Sequence, residues 1–203
     1  MAEASNDGGY VLSFTAATAR QADTLALARC YLDCNDWQEV FRQVKEENIL
    51  GYNRPASAMR VAQELVKRLK TLSQEELAFF DRSVDDDTHA MLWVAICRTY
   101  PFLRDLSEQL VAGRWNNMMG NLPVQAVDAF MEEQKHQHER LARTSASTQA
   151  KLRSTTLTML RDCKLRTSDG TITPLYPSVE FVELIRADHP EDLALFPRVG
   201  ALL

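Results

Sequence analysis

Glycine and proline are scarce, seven of each in 203 residues. Both are helix breakers, so their scarcity excludes a loop-rich or low-complexity chain and favours long helices. Neither GxxxxGK nor GxGxxG occurs, so the familiar glycine-rich cradles for nucleotide phosphates are missing. The most apolar run, Ala90–Cys97, has eight residues, whereas a membrane helix needs about 20; it reads as a buried helix. The opening MAEASNDGG has neither a basic start nor an apolar centre, so no signal peptide is expected and the location is read as cytoplasmic. The four cysteines, Cys30, Cys34, Cys97 and Cys163, are expected as reduced, partly buried thiols, because a chain of this length can build a core without disulfides. Cys30 and Cys34 share a helix face, yet no second Cys or His pair completes a zinc set. His136 and His138 point in different directions on a helix, and His89 and His189 stand at element boundaries. No Ser, His and acid grouping has a motif context such as GxSxG. The expectation is no metal, no cofactor and no enzyme.

An overall positive charge is lacking too. The net charge of −5 would disfavour a polyanionic partner if it were evenly spread, but it is not. Arg54–Lys70 carries +4 and Arg140–Arg166 carries +6, which leaves −15 on the remainder. Local field governs encounter with nucleic acid more than net charge does.

What is present is helical periodicity. Tyr10–Phe14 reads as a short strand or extended segment, followed by a helix from Thr15 to Leu32. Asn35 and Asp36 break it and cap an amphipathic helix that begins at Trp37. Pro55 suits the first turn of the next helix. Its Ala58, Val61, Ala62, Leu65, Leu69 and Leu72 form one stripe, and Arg60, Gln63, Lys67 and Lys70 share the opposite face. That face is either simply solvated or a phosphate-contacting ridge. Ser73 and Glu76 make a capping box. Asp85, Asp86 and Asp87 suit the start of a central helix that is apolar all round. Gly113–Leu122 reads as a loop and a domain joint. This gives a flexible leader over 1–9, a helical domain over 10–115, and a helical domain with a β-hairpin over 121–203, or a single domain in place of the two. Pro123 opens a helix running on to Leu141, and Ser178 caps the last one.

Ser147–Pro174 is the pivot. It reads as a basic helix bearing Lys151, Arg153, Arg161 and Lys164, then a Ser-Asp-Gly turn and the β-prone Thr171, Ile172 and Thr173. A helix followed by a small hairpin is the second half of a winged helix, whose helix enters a groove while the hairpin rests on phosphates. A small α+β domain produces the same pattern for structural reasons alone. Leu157 projects among the bases, which a solvated face does not explain. The candidate nucleic-acid-binding residues are Arg54, Arg60, Gln63, Lys67 and Lys70 from the first basic stretch, and Lys151, Arg153, Arg161 and Lys164 from the second.

Five blocks carry a resemblance: YVLSFTAA at Tyr10–Ala17, DWQEVFRQVKEENILG at Asp36–Gly51, KRLKTLSQEEL at Lys67–Leu77, DGTITP at Asp169–Pro174 and LALFP at Leu193–Pro197. Together, in this order, they resemble the BrxA family, small accessory proteins of BREX bacteriophage-defence systems. The resemblance implies a non-enzymatic, cytoplasmic, mainly α protein: a NusB-like helical bundle with a small winged-helix-like β-hairpin near the C-terminus. It also implies binding to double-stranded DNA and work beside the other BREX components, namely a methyltransferase, a phosphatase-like protein and ATPases. It supplies no DNA-contacting positions, so the nine residues above rest on charge and spacing. Similar sequences have a glycine where this chain has Cys163-Lys164-Leu165, which leaves the exit from the basic helix open. Three functions stay in play: double-stranded DNA binding through phosphates, a protein-protein adapter within the BREX complex that uses Leu157 as an anchor, and RNA binding by analogy with NusB.

Overall fold

The computed structural model describes residues 10–197; the expected leader at 1–9 lies outside the described residues. The chain is mainly helical, as its periodicity predicts, with eleven α-helices among the described residues. The first departure comes early. Ser13–Ala16 is a 3-10 turn, Ala17 is extended, and α1 (Gln21–Cys34) starts later than Thr15. The cause is the Arg68 guanidinium, which donates to the carbonyls of Ala17 and Thr18, both at 2.7 Å. Those carbonyls are thereby withdrawn from helical bonding.

Asn35 closes α1 in a left-handed conformation, and the Asp36 side chain accepts from the Gln38 N–H to start α2 (Trp37–Glu46). Proline stands at the first turn of α3 (Pro55–Leu69), whose apolar stripe is buried. The capping box at Ser73 and Glu76 opens α4 (Gln74–Arg82). Because it satisfies two otherwise orphaned donors, Ser73→Ala is expected to cost about 1 kcal/mol of unfolding free energy, measurable by urea denaturation. The central helix, α5 (Asp85–Thr99), is buried on every side from Ala90 to Cys97. Its Trp93 indole donates to Ser107 Oγ (2.9 Å), and Ser107 in turn donates to the Leu195 carbonyl (2.8 Å). The middle of the chain is thus tied to its end.

Glu76 has a second role that its capping box does not reveal. It receives two hydrogen bonds of 2.7 Å from Arg98 of α5, which also donates to Asp192 at 2.6 Å. Arg104 completes the network by pairing with Asp192. The Glu76 and Asp192 side chains are each 1% exposed. Burial pulls the Arg98 and Arg104 pKa values down, but bonds to these carboxylates outweigh it and hold both above the usual arginine range.

After α5, α6 (Pro101–Asp105), a π-helical stretch (Leu106–Ala112) and α7 (Gly113–Asn116) follow without leaving helical dihedrals. The loop expected from Gly113 therefore begins only after Asn116. Leu106, Val111 and Ala112 bury against the core and carry the helix through the glycine. Conversely, α8 (Val124–Gln134) stops short of Leu141, and α9 (Glu139–Ala142) is a separate turn. Between them His138 stacks on Tyr10, with ring centroids 3.6 Å apart. Tyr10 also donates to Asp105 (2.6 Å).

The last elements are α10 (Ala146–Asp162), capped by Ser145, α11 (Val179–Asp188), capped by Ser178, and a 3-10 turn at Pro190–Leu195. Between α10 and α11 the expected hairpin is reduced to single bridges, Arg166 to Ile172 and Asn121 to Thr171. The Thr171–Thr173 run is short and Pro174 has no N–H to extend it; the Thr167 and Thr173 N–H groups bond to the Thr171 and Leu165 carbonyls, and the outward-facing Ile172 N–H bonds to the Gly120 carbonyl (2.9 Å). Gly170, at φ +99, sits where an added Cβ would meet the Arg166 guanidinium at 3.1 Å. The buried side chains form one hydrophobic cluster running from Tyr10 to Phe196.

Candidate nucleic-acid interface

The sequence places Arg60, Gln63, Lys67 and Lys70 on one face of α3, and all four side chains are exposed. Arg54, the N-cap residue, is exposed as well. Lys67 Nζ donates to Ser13 Oγ (3.3 Å) and lies 4.9 Å from the Tyr100 ring centre, while Lys70 Nζ lies 5.9 Å from the Trp37 ring centre. These contacts orient the two ammonium groups without neutralising them. Arg68 is different. It is fully buried and held by backbone carbonyls, and burial pushes its pKa down to about 10. It braces the 13–20 segment and contributes nothing to an outer surface.

On α10, Leu152, Thr156, Met159 and Leu160 are buried, while Lys151 and Arg161 are exposed, as is Lys164 just beyond the helix. Arg153 is committed elsewhere: it donates two hydrogen bonds to Asp128 of α8, at 2.8 and 3.0 Å. Arg166 is also withdrawn, 9% exposed and bonded through Nε to the Leu122 carbonyl (3.0 Å). Leu157 is half-buried and packs against the core.

The turn expected to rest on phosphates carries no basic side chain at its tip, where the exposed residues are Thr167, Ser168 and Asp169. Hydroxyl bonds from Thr167 and Thr171 hold the Asp169 carboxyl below its usual range, so the tip stays anionic at neutral pH.

Pairing distinguishes most of the candidate bases from several other arginines, although Lys45 and Arg140, outside the candidate set, are exposed and unpaired too and Arg153, within it, is paired. Arg29 is paired with Asp81 (2.5 Å), Arg42 with Glu39, Glu46 and Glu47, and Arg82 with Glu180. By contrast, the side chains of Arg54, Arg60, Lys151, Arg161 and Lys164 have no hydrogen bond or ion pair with any described residue. An exposed, unpaired cation is free to release a phosphate's counterions; a paired one must first give up its carboxylate. Both basic helices rest on the Ser13–Ala16 turn, so one short element positions the two.

Beside that turn lies a cleft of about 700 Å³. It collects Arg161 and Lys164 with Arg20 and Gln21, which the sequence does not single out, and with His89, read from the sequence only as a boundary residue. No periodicity could have flagged them, since they come together only when α1, α5 and α10 pack. Among the described residues, no cluster of three or more His, Cys, Asp or Glu side chains is placed to hold a metal ion. The four thiols are free, with burial pushing Cys30 up to about 11.

These features define a mainly helical, acidic protein with exposed, unpaired bases along α3 and around the ends of α10. The sequence profile of the BrxA family matches residues 8–189, and the chain belongs to that family. A BREX protein BrxA of Escherichia coli O9:H4 (strain HS) is 24% identical over 196 residues, which cover 96% of this chain and 87% of that protein. The fold is similar to the crystal structure of an uncharacterized protein from Magnetospirillum magneticum. That similarity has a TM-score of 0.78 and 16% identity, over 90% of this chain and 95% of the other.

Proposed function

We propose that this BrxA-family protein is a non-enzymatic accessory component of a BREX phage-defence system that binds double-stranded DNA through phosphate contacts. The observation that carries this reading is the set of exposed, unpaired bases on α3 and α10 in a chain whose net charge is −5. Arg54, Arg60, Lys67 and Lys70 with Lys151, Arg161 and Lys164 are the proposed phosphate contacts. Gln63 lies on the same face, and Arg153 serves only when Asp128 releases it. The mainly helical fold is compatible with the NusB-like bundle that family resemblance implies, and within this proposal the duplex, not RNA, is the ligand.

Binding of this kind reads charge and groove spacing rather than base edges. Fluorescence anisotropy on several unrelated duplexes should therefore give closely similar affinities. A strong preference for one sequence, or preference for RNA of equal length, would contradict it.

A second reading, an adapter that contacts the other BREX components, is favoured by a separate observation. Val84, Tyr176 and Val179 are 69%, 66% and 73% exposed, and bonds from Tyr176 and Ser178 to Asp86 and Asp87 bring their segments together. Co-purification of BREX partners after nuclease treatment, abolished by Val84→Asp with Val179→Asp, would support an adapter role at this patch.

A further inference from the structure

We propose that the cleft between the start of α1 and the end of α10 binds a phosphate group, with Lys164 and Arg161 as its cations. This deepens the duplex-binding reading, since a DNA phosphodiester is one source of that group, and a free phosphate is the other. The cleft is lined by groups from three elements: Arg20 and Gln21 of the α1 start, His89 of α5, and Arg161 and Lys164 of the α10 end.

The first argument is how α10 stops. The Leu165 N–H donates to the Leu160 carbonyl (2.9 Å) and the Lys164 N–H to the Arg161 carbonyl (3.0 Å), while Lys164 has φ +59. This is a Schellman exit, and its left-handed position favours glycine because an L side chain is strained there. The chain instead places a lysine at that position, exposed and unpaired, on the wall of the cleft. Arg20 on the facing wall is left-handed too, at φ +51.

The second argument is charge. Two acids, Asp23 and Asp162, also line the cleft. Asp23 is already occupied: the Tyr52 hydroxyl donates to it at 2.8 Å and Arg20 lies 3.6 Å from it. Against the half-buried Asp162 stand Arg161 and Lys164, neither with a partner among the described residues.

Neutral donors supplement these cations. The Arg20 side chain does not cap α1, so the first-turn amides of Gln21, Ala22 and Asp23, residues that line the cleft, have no side-chain cap. The His89 Nδ1–H donates to the Asp85 carbonyl (2.6 Å), so Nε2 of the neutral ring is an acceptor; His89 lines the cleft as a reporter and is not one of the donors. Convergent cations with free backbone amides are the chemistry that recognises phosphate oxygens.

The test uses the full chain, labelled for NMR, titrated with inorganic phosphate at constant ionic strength against chloride, and separately with a duplex. Phosphate, and not chloride, should shift the Gln21–Asp23 amides and the His89 ring. Lys164→Gly removes the cation while easing the backbone. It should melt no lower than the parent, yet bind phosphate about tenfold more weakly, the loss of one charge-assisted hydrogen bond. An equal loss of duplex affinity identifies a backbone phosphate as the occupant; a loss confined to inorganic phosphate identifies a free ligand. If phosphate moves neither amides nor ring and Lys164→Gly binds duplex as the parent does, the cleft proposal is overturned and duplex binding by other bases stands. If duplex never binds while phosphate still shifts these signals, the duplex reading fails and the cleft survives.

Discussion

Arg98→Met is expected to lower the unfolding free energy by about 3–5 kcal/mol, the cost of removing one partner from a buried ion pair. Arg98 is the hub between Glu76 and Asp192, carboxylates that are each 1% exposed. Asp192 keeps Arg104, but Glu76 would be left with only the Ser73 cap. Unlike an exposed pair, this one has little water to replace the lost donors, so the penalty is close to that of an uncompensated buried charge. Urea denaturation of the variant should show the midpoint fall at unchanged slope. A loss under about 1 kcal/mol, the scale of a surface pair, would mean that water reaches the carboxylates and the network is not a structural hub.

The second large effect concerns binding. Reversing Arg60 and Lys67 together to glutamate, or Arg161 and Lys164 together, is expected to weaken duplex affinity on the order of 100-fold at low salt. Each reversal replaces an attraction of roughly 1 kcal/mol with a comparable repulsion, partly screened. Arg153→Glu provides the contrast. Its guanidinium already satisfies Asp128, so its reversal should matter far less than that of Arg161 on the same helix. Equal effects at Arg153 and Arg161 would show that the Asp128 pair opens on binding. No effect at either helix would remove both from the interface.

Local rules carried much of the fold. Pro55 at a first turn, the Ser73–Glu76 box, and Asp36 and Ser178 as caps are each decided by neighbours within four residues, and each stands where the periodicity put it. The face of Arg60, Gln63, Lys67 and Lys70 was legible for the same reason: helical spacing alone separates it from the buried stripe.

The rest depended on contacts between residues distant in sequence. Arg68 and Arg166 counted as bases in the charge tally, yet both turn inward to carbonyls some 50 and 44 residues away. Arg153 loses its freedom to Asp128 on another helix. The delayed start of α1 follows from Arg68 taking two carbonyls, and no feature of residues 15–20 announces it. The hairpin is reduced to a minimal pairing: the Thr167 and Thr173 N–H groups bond to the Thr171 and Leu165 carbonyls on either side of the Arg166–Ile172 bridge, while the Ile172 N–H faces outward to Gly120. The glycine missing from the α10 exit did not change the exit: Lys164 adopts the left-handed conformation itself.

The measurement that tests the central claim most directly is the salt dependence of duplex binding. With about 5 phosphates neutralised, log K against log salt should fall with a slope of about −4 to −5. A flat line, or no duplex binding at low salt, would contradict a phosphate-binding role for the bases of α3 and α10.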